Sequence, residues 1–419
     1  GLGDVYKRQA LKRLVNAVNE LRGQGHLLAY HDRSDGGLWA AVCEMAFAGR
    51  LGVSLNVDLL VTEGDGIADS RAEYGDSKNW ASQVSARREE LTLRALFNEE
   101  LGVVLQVPTA VRNEVMQVLR THGLSRHSHF IGKPNDRGVV EVWRDTKAVF
   151  TAPLSDLLAA WDEVSWRIAR LRDRPEDADA EHLSVCAVAE PGLHRVLPVT
   201  LNPLMDALSA PPLVKTRPAV AILREQGVNS HVEMSRAFDE AGFETFDVHM
   251  SDLQAGRTRL DAYQGLVACG GFSYGDTLGA GEGWARSILF NPALAEAFAA
   301  FFARSDRFAL GVCNGCQMMA ALAPIIPGAQ AWPRFTRNRS EQFEARLSLV
   351  EVMDSPSIFF QGLAGMRLPI AVAHGEGKAD FREQGHVDRV LGTMRFVDGN
   401  GKPTETYPSN PNGSPGGLT

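Results

Sequence analysis

Cysteine is scarce in this chain, with 5 in 419 residues. So odd and sparse a number excludes a disulfide framework and fits reduced thiols. A surplus of positive charge is also missing. The formal net charge is -8, with 43 Lys and Arg against 51 Asp and Glu, and no basic run stands out, which argues against a nucleic-acid partner. No apolar stretch approaches the roughly 18 residues of a membrane span, and the N-terminus lacks the charged-then-apolar order of a signal peptide. These absences leave a soluble, cytoplasmic enzyme without membrane contacts as the expectation. The chain is long enough for two or three domains, each with its own core.

Changes of periodicity divide the chain. From about Leu11 to Trp161, helical patterns mix with apolar strand-like runs, Leu101 to Val107 and Val139 to Trp143, which predicts an α+β domain over 10–165. Within it, 62–90 is strongly polar with few apolar anchors, as a mobile surface insertion would be. Residues 166–216 read as the end of a helix, Trp161 to Arg174, followed by a connector rich in Pro and short polar stretches from 175 onward. At Arg217 the pattern turns to alternating strands and helices, with strands at Ala219 to Leu223 and Gly265 to Cys269 and a helix at His231 to Ala241. That alternation predicts a parallel α/β sheet over 217–419 with its crevice at the strand C-termini.

Phe308-Ala-Leu-Gly-Val-Cys-Asn-Gly-Cys-Gln-Met318 carries the clearest chemistry. An apolar strand, Phe308 to Val312, leads through a glycine-flanked Cys313 into a helix beginning at Met318 to Leu322, which is the form of a nucleophile elbow with cysteine for serine. At a helix N-terminus the thiolate of Cys313 would be favoured and its pKa lowered, as a nucleophile for acyl transfer requires. The N–H of Asn314 would serve as an oxyanion donor. Cys313-x-x-Cys316 also fits a redox pair, half of a zinc site or two buried cysteines, though no second C-x-x-C completes a zinc site. The glycines and the preceding strand favour the nucleophile, with Cys316 in packing. Gly270-Gly271-Phe272 lets backbone approach a carbonyl, so the N–H of Gly271 or Phe272 is the candidate second donor, facing Asn314; a simple tight turn explains the same glycines. In His31-Asp-Arg-Ser-Asp-Gly-Gly-Leu38, Asp32 and Ser34 can offer a carboxylate to magnesium and a hydroxyl to phosphate, or form an Asx-type turn.

These stretches, with Phe97 to Gly102, Leu223 to His231, Cys269 to Asp276, Gly279 to Trp284 and Ala373-His-Gly-Glu-Gly377, resemble the large single-chain phosphoribosylformylglycinamidine synthases of purine biosynthesis over nearly the whole chain. The resemblance implies an α/β and α+β multidomain protein: an AIR-synthetase-like C-terminal subdomain, then a class I glutamine amidotransferase-like parallel α/β domain truncated at its C-terminus. Gly1 to Gln9 do not match the pattern and are read as non-native.

The resemblance further implies that glutamine is hydrolysed through a thioester on Cys313. The ammonia then passes internally to a site where ATP activates formylglycinamide ribonucleotide for conversion to the amidine. It gives Asp32 to magnesium and Ser34 to nucleotide (ATP or ADP) at an auxiliary site, treats Glu99 and Glu100 as structural, and makes Gln317, with Arg337 to Ser340, candidates for glutamine contact. The ATP and ribonucleotide site would belong mainly to upstream synthetase domains of the same polypeptide, monomeric at full length. His374-Gly375-Glu376 has the form of a base with its orienting carboxylate. Family order instead puts the catalytic His-Pro-Glu beyond Thr406 to Pro415, where this chain ends. His374 is therefore expected to line the site without acting as general base, in a fragment incomplete at both ends. A stand-alone cysteine hydrolase and a non-catalytic binding or assembly domain are the competing readings.

Overall fold

The computed structural model of the protein describes residues 2–62, 77–187, 189–197 and 217–419. It divides into two compact units, Gly1–Val164 with Val185–Val188 and Ser165–Ser184 with Ala189–Thr419.

The first unit is α+β. Its helices are α1 (Leu2–Gly23), α2 (Gly37–Gly49), α3 (Asp58–Thr62), α4 (Ser77–Phe97) and α5 (Arg112–Thr121), and α6 (Leu154–Arg172) follows. Strands β1 (Ala29–Asp32), β2 (Gly52–Asn56), β3 (Val103–Gln106), β4 (Gly132–Asn135), β5 (Val139–Arg144) and β6 (Lys147–Pro153) form an antiparallel β1-β3 pair and a sheet ordered β4-β2-β5-β6. α2, α4 and the sheet share a core of Leu38, Val42, Leu55, Val57, Leu96 and Val142. The polar stretch expected as an insertion is a helix from Ser77 onward, while 63–76 lie outside the described residues. α4 buries Thr92 and Leu96 on one side, so its polarity is that of a helix with a broad exposed face. The segment Leu2 to Gln9 is drawn as the start of α1.

Pro175 opens a helix, α7 (Pro175–Cys186), where composition suggested a connector. Proline is tolerated at a first helical position because no N–H is needed there, and Glu176 and Asp177 suit the positive end of the helix dipole. Buried Asp177 accepts from Arg339 at 2.9 Å within the second unit. The remainder of the expected connector, at 188 and 198–216, lies outside the described residues.

The second unit holds a parallel sheet of β7 (Ala219–Arg224), β8 (Glu244–His249), β9 (Gly265–Ala268) and β10 (Phe308–Gly311), ordered β10-β9-β7-β8. Helices α8 (His231–Glu240), α9 (Met250–Gln254), α10 (Glu282–Leu289), α11 (Pro292–Phe302) and α12 (Asn314–Ala321) accompany it. The central strands are apolar without alternation because both faces are covered. Ala221, Leu223, Leu266 and Ala268 pack with Trp284, Phe298 and Met318, while Val220, Ile222, Val267 and Cys269 pack with Phe238. Each fully buried large side chain contributes roughly 1.5–3 kcal/mol by leaving water. Beyond the sheet, β11 (Arg334–Thr336) pairs with β14 (Lys378–Asp380), and β12 (Glu344–Val352) lies between β13 (Arg367–His374) and β15 (Met394–Phe396). β7 and β9 are neighbours whose chain connections leave in opposite directions, so a crevice opens at their C-terminal ends, where ligands bind such sheets.

Candidate active site

Cys313 stands between β10 and α12 with φ 52 and ψ -112. A non-glycine residue in that region is strained by about 1–3 kcal/mol and persists only where its surroundings impose it. Here Val312 N–H donates to the Ala268 carbonyl at 3.0 Å and Gln317 N–H to that of Cys313 at 3.0 Å. α12 starts at Asn314, earlier than expected, which puts Cys313 directly at its N-terminus. Gly315 allows the close approach: a Cβ there would lie 2.0 Å from the Ala268 carbonyl oxygen.

The backbone N–H groups of Asn314 and Gly271 lie near enough to the Cys313 sulfur to favour its thiolate. Phe272 does not share that role, because its N–H donates to the Gly227 carbonyl at 3.0 Å. This corrects the expectation for Phe272 and leaves Gly271 as the candidate second donor. The Phe272 side chain is exposed, 6.3 Å from the Phe343 ring centroid to centroid.

The thiol itself departs from expectation. Burial pushes the Cys313 pKa up, the Asn314 and Gly271 N–H groups oppose that shift, and Asp276 adds to it. The helix terminus is thus outweighed by removal of the sulfur from water. The thiol's hydrogen-bond acceptor is the Ala373 carbonyl, at 3.8 Å. Burial pushes the Cys316 thiol up to about 12, and all five cysteines are free.

Asn314 is buried, and its side chain joins the two halves of the site. Oδ1 accepts from Ser273 N–H at 3.2 Å, and Nδ2 donates to Asp276 Oδ1 at 2.9 Å. The Asp276 carboxyl is raised by burial and by the nearby Glu376 charge, against the Asn314 bond. Gln317 is also committed within the protein. Its Nε2 donates to the Glu376 carbonyl at 2.6 Å, and its Oε1 lies 3.5 Å from Asn314 Nδ2. This buried amide, held at both ends, ties the elbow to the His374–Gly377 turn, and these bonds occupy the side chain expected to contact glutamine.

His374 and Glu376 do not form a base-and-carboxylate pair. Glu376 Oε2 accepts from the Ala280 N–H at 2.9 Å, whereas the buried His374 Nδ1 has no partner. Burial lowers the His374 pKa. Sequence reasoning singled out Arg337 to Ser340 only loosely. Asn338 is the residue there that shapes the turn, with Nδ2 donating to the His374 carbonyl at 2.7 Å and Oδ1 accepting from Gly377 N–H at 2.9 Å. Ser230, which donates to the Gly270 carbonyl at 3.1 Å, was not singled out. Its position just before a helix was the available signal.

In the first unit, Asp32 and Ser34 are exposed and border one cavity of about 440 Å³, together with Leu14, Tyr30 and Leu101. Asp32 accepts the Tyr30 hydroxyl, a bond that, with burial, raises the phenol to about 12. Gly36 and Gly37 turn the loop at φ 77 and 67. Glu99 Oε1 is occupied by the Gly36 N–H at 3.0 Å, and Arg33 Nε donates to the Glu100 carbonyl at 2.7 Å. Among the described residues, no group of three or more His, Cys, Asp or Glu is placed to hold a metal. A magnesium ion here would depend on Asp32 together with phosphate oxygens, a donor set that Mg²⁺ accepts. No described helix is long and apolar enough to cross a membrane.

Two family models match the chain in succession. The C-terminal domain of AIR synthase related proteins covers residues 2–145, and the CobB/CobQ-like glutamine amidotransferase domain covers 217–419. Solved structures from Thermotoga maritima are also similar. A chain of PurLQS shares 21% identity over 49% of this chain and 81% of its own, with a TM-score of 0.38. PurL complexed with ATP shares 17% over 35% of this chain and 21% of its own, with a TM-score of 0.25. Phosphoribosylformylglycinamidine synthase II shares 18% over 35% of this chain and 21% of its own, with a TM-score of 0.24. The chain thus carries an AIR synthase related C-terminal domain followed by a CobB/CobQ-like glutamine amidotransferase domain, in that order.

Proposed function

We propose that the second unit is a glutaminase in which Cys313 is the nucleophile and the N–H groups of Asn314 and Gly271 form the oxyanion hole. What supports this reading is a cysteine held at a strained strand-to-helix elbow, with the backbone N–H groups of Asn314 and Gly271 beside its sulfur. The Cys313 sulfur attacks the γ-amide carbon of glutamine, the C–N bond breaks, and the thiol proton leaves with ammonia. Water then cleaves the thioester to glutamate and restores the thiol. The ammonia serves an ATP-dependent carbon–nitrogen ligase that converts formylglycinamide ribonucleotide to its amidine in purine biosynthesis, in the cytoplasm. Keeping water from the ammonia path preserves the nucleophile, since ammonium is unreactive.

In the first unit, Asp32 would hold Mg²⁺ and Ser34 a phosphate of ADP or ATP at the cavity they share. Magnesium would screen the phosphate charge. The exposed carboxylate and hydroxyl on one glycine-turned loop support this assignment. Asp32→Asn is expected to abolish a Mg-ADP-dependent rise in melting temperature, and an unchanged rise would remove Asp32 from the site.

A glutamine-mimicking diazo-ketone tests the glutaminase reading. It should label Cys313 in preference to the other four cysteines, and Cys313→Ser should abolish that label. A second reading, a binding or assembly domain, is favoured by the raised thiol and by a Glu376 turned away from His374. It predicts no preference among the cysteines.

A further inference from the structure

The Gly270–Gly271 peptide is held from the side opposite Cys313. In a trans peptide the C=O and N–H point in opposite directions, so fixing one aims the other. The Gly270 carbonyl accepts from Ser230 Oγ at 3.1 Å and from Asn229 N–H at 3.3 Å. Gly271, whose N–H belongs to the same peptide, has φ 148, and a Cβ there would lie 2.6 Å from Val228 Cα. Gly270 lies between the two functional side chains: a Cβ on it would be 3.3 Å from Cys313 Cβ and 3.4 Å from Ser230 Oγ.

Ser230 also occupies the N-cap of α8, where serine ordinarily accepts from the first turn of its own helix. It makes no such bond. Its hydroxyl is committed across the crevice to Gly270 instead, a use that helix stability does not explain.

We propose that Ser230 is a positioning residue that locks the Gly270–Gly271 peptide so that the Gly271 N–H meets the oxyanion formed on a γ-acyl carbon bound to Cys313. The proposal rests on the glutaminase reading and deepens it. When Ser230 cannot donate, the Gly270 carbonyl keeps only the longer Asn229 bond, and the Gly271 N–H is aimed less firmly at the tetrahedral state. Attack of Cys313 on an electrophile that forms no oxyanion loses only the help that the Gly271 N–H gives the thiolate, so its rate is unchanged once the thiol is fully ionised.

The test compares two reagents on the whole chain. Glutamate γ-semialdehyde forms a thiohemiacetal: the sulfur bonds to the aldehyde carbon, the C–O π bond opens, and the thiol proton passes to the oxygen. Iodoacetamide alkylates the sulfur with loss of iodide and makes no oxyanion. Ser230→Ala should weaken semialdehyde binding by about 10-fold or more, since one oxyanion donor is worth 10²–10³-fold in rate, while the alkaline plateau of iodoacetamide labelling of Cys313, where the thiol is fully ionised, stays within about 2-fold by the same reasoning. Ser230→Thr, which keeps a hydroxyl, should recover most of the affinity. Equal semialdehyde binding by wild type and Ser230→Ala would overturn the positioning role and leave the glutaminase reading standing. Parallel loss with both reagents would make Ser230 merely structural and also overturn it. Failure of the wild-type chain to bind the semialdehyde would sink the glutaminase reading itself, and the proposal with it.

Discussion

Asn314 Nδ2 donates to Asp276 Oδ1 at 2.9 Å, and through that bond the helix that follows Cys313 is fastened to the loop that carries the proposed second oxyanion donor, Gly271. Asn314→Ala would leave the buried Ser273 N–H and the half-buried Asp276 carboxylate without this partner. A destabilisation of about 1–3 kcal/mol is expected in urea unfolding. Labelling by the diazo-ketone should slow as well. Wild-type stability in the variant would show that solvent replaces the bridge.

Gly315 offers a steric test of the elbow. Alanine there would bring a Cβ to 2.0 Å from the carbonyl oxygen of Ala268, a backbone atom with no freedom to yield. Gly315→Ala should cost about 3 kcal/mol, at the upper end of overpacked core substitutions. Gly49→Ala meets nothing within 4 Å and lies in a helix, so it should gain roughly 0.5–1 kcal/mol. Melting temperatures shifted in opposite directions would bear out the contrast.

The elbow and the parallel strands were legible in the sequence because each depends on a short local pattern. Phe308 to Gly311 needs only apolar residues covered on both sides, and Cys313 only its glycines and the helix that follows. Features set by distant partners were not legible. Which N–H of the 270–272 turn faces the sulfur depends on the Gly227 carbonyl, which takes the Phe272 N–H. Gln317 is drawn inward by a carbonyl from Glu376 in another part of the chain. The sign of the Cys313 shift depends on how far tertiary packing excludes water, which a helix N-terminus alone does not reveal. The helix that opens at Pro175 was not legible within the expected connector because a first-turn proline and a loop proline look alike in composition.

The raised thiol predicts an alkaline reactivity profile. Only the thiolate is alkylated, so the iodoacetamide rate at Cys313 should rise through a midpoint above the ordinary cysteine value of about 8.5. Asp276 contributes to the upward shift, and Asp276→Asn should therefore move the midpoint down. A midpoint below the ordinary value in the wild type would mean that the helix terminus prevails over burial.

His374 gives a prediction whose sign follows from its burial. Its pKa is lowered because the charged imidazole loses water, with Nδ1 buried and without a partner. Above the unfolded value of about 6.5 the ring is neutral in both states and the native chain keeps its full stability. As pH falls below that value, the unfolded chain takes up a proton that the native chain resists, so stability declines until the lowered native pKa is passed. His374→Leu removes this proton linkage, and its urea midpoint should fall less between pH 7 and pH 5 than the wild-type midpoint does. With Glu376 held by the Ala280 N–H, nothing in this geometry orients His374 as a base. His374→Ala should accordingly leave diazo-ketone labelling of Cys313 within a few-fold of wild type, because a missing general base would cost about 10²–10⁴-fold. If the chain hydrolyses glutamine and this substitution alone abolishes hydrolysis while the fold persists, His374 is the base after all.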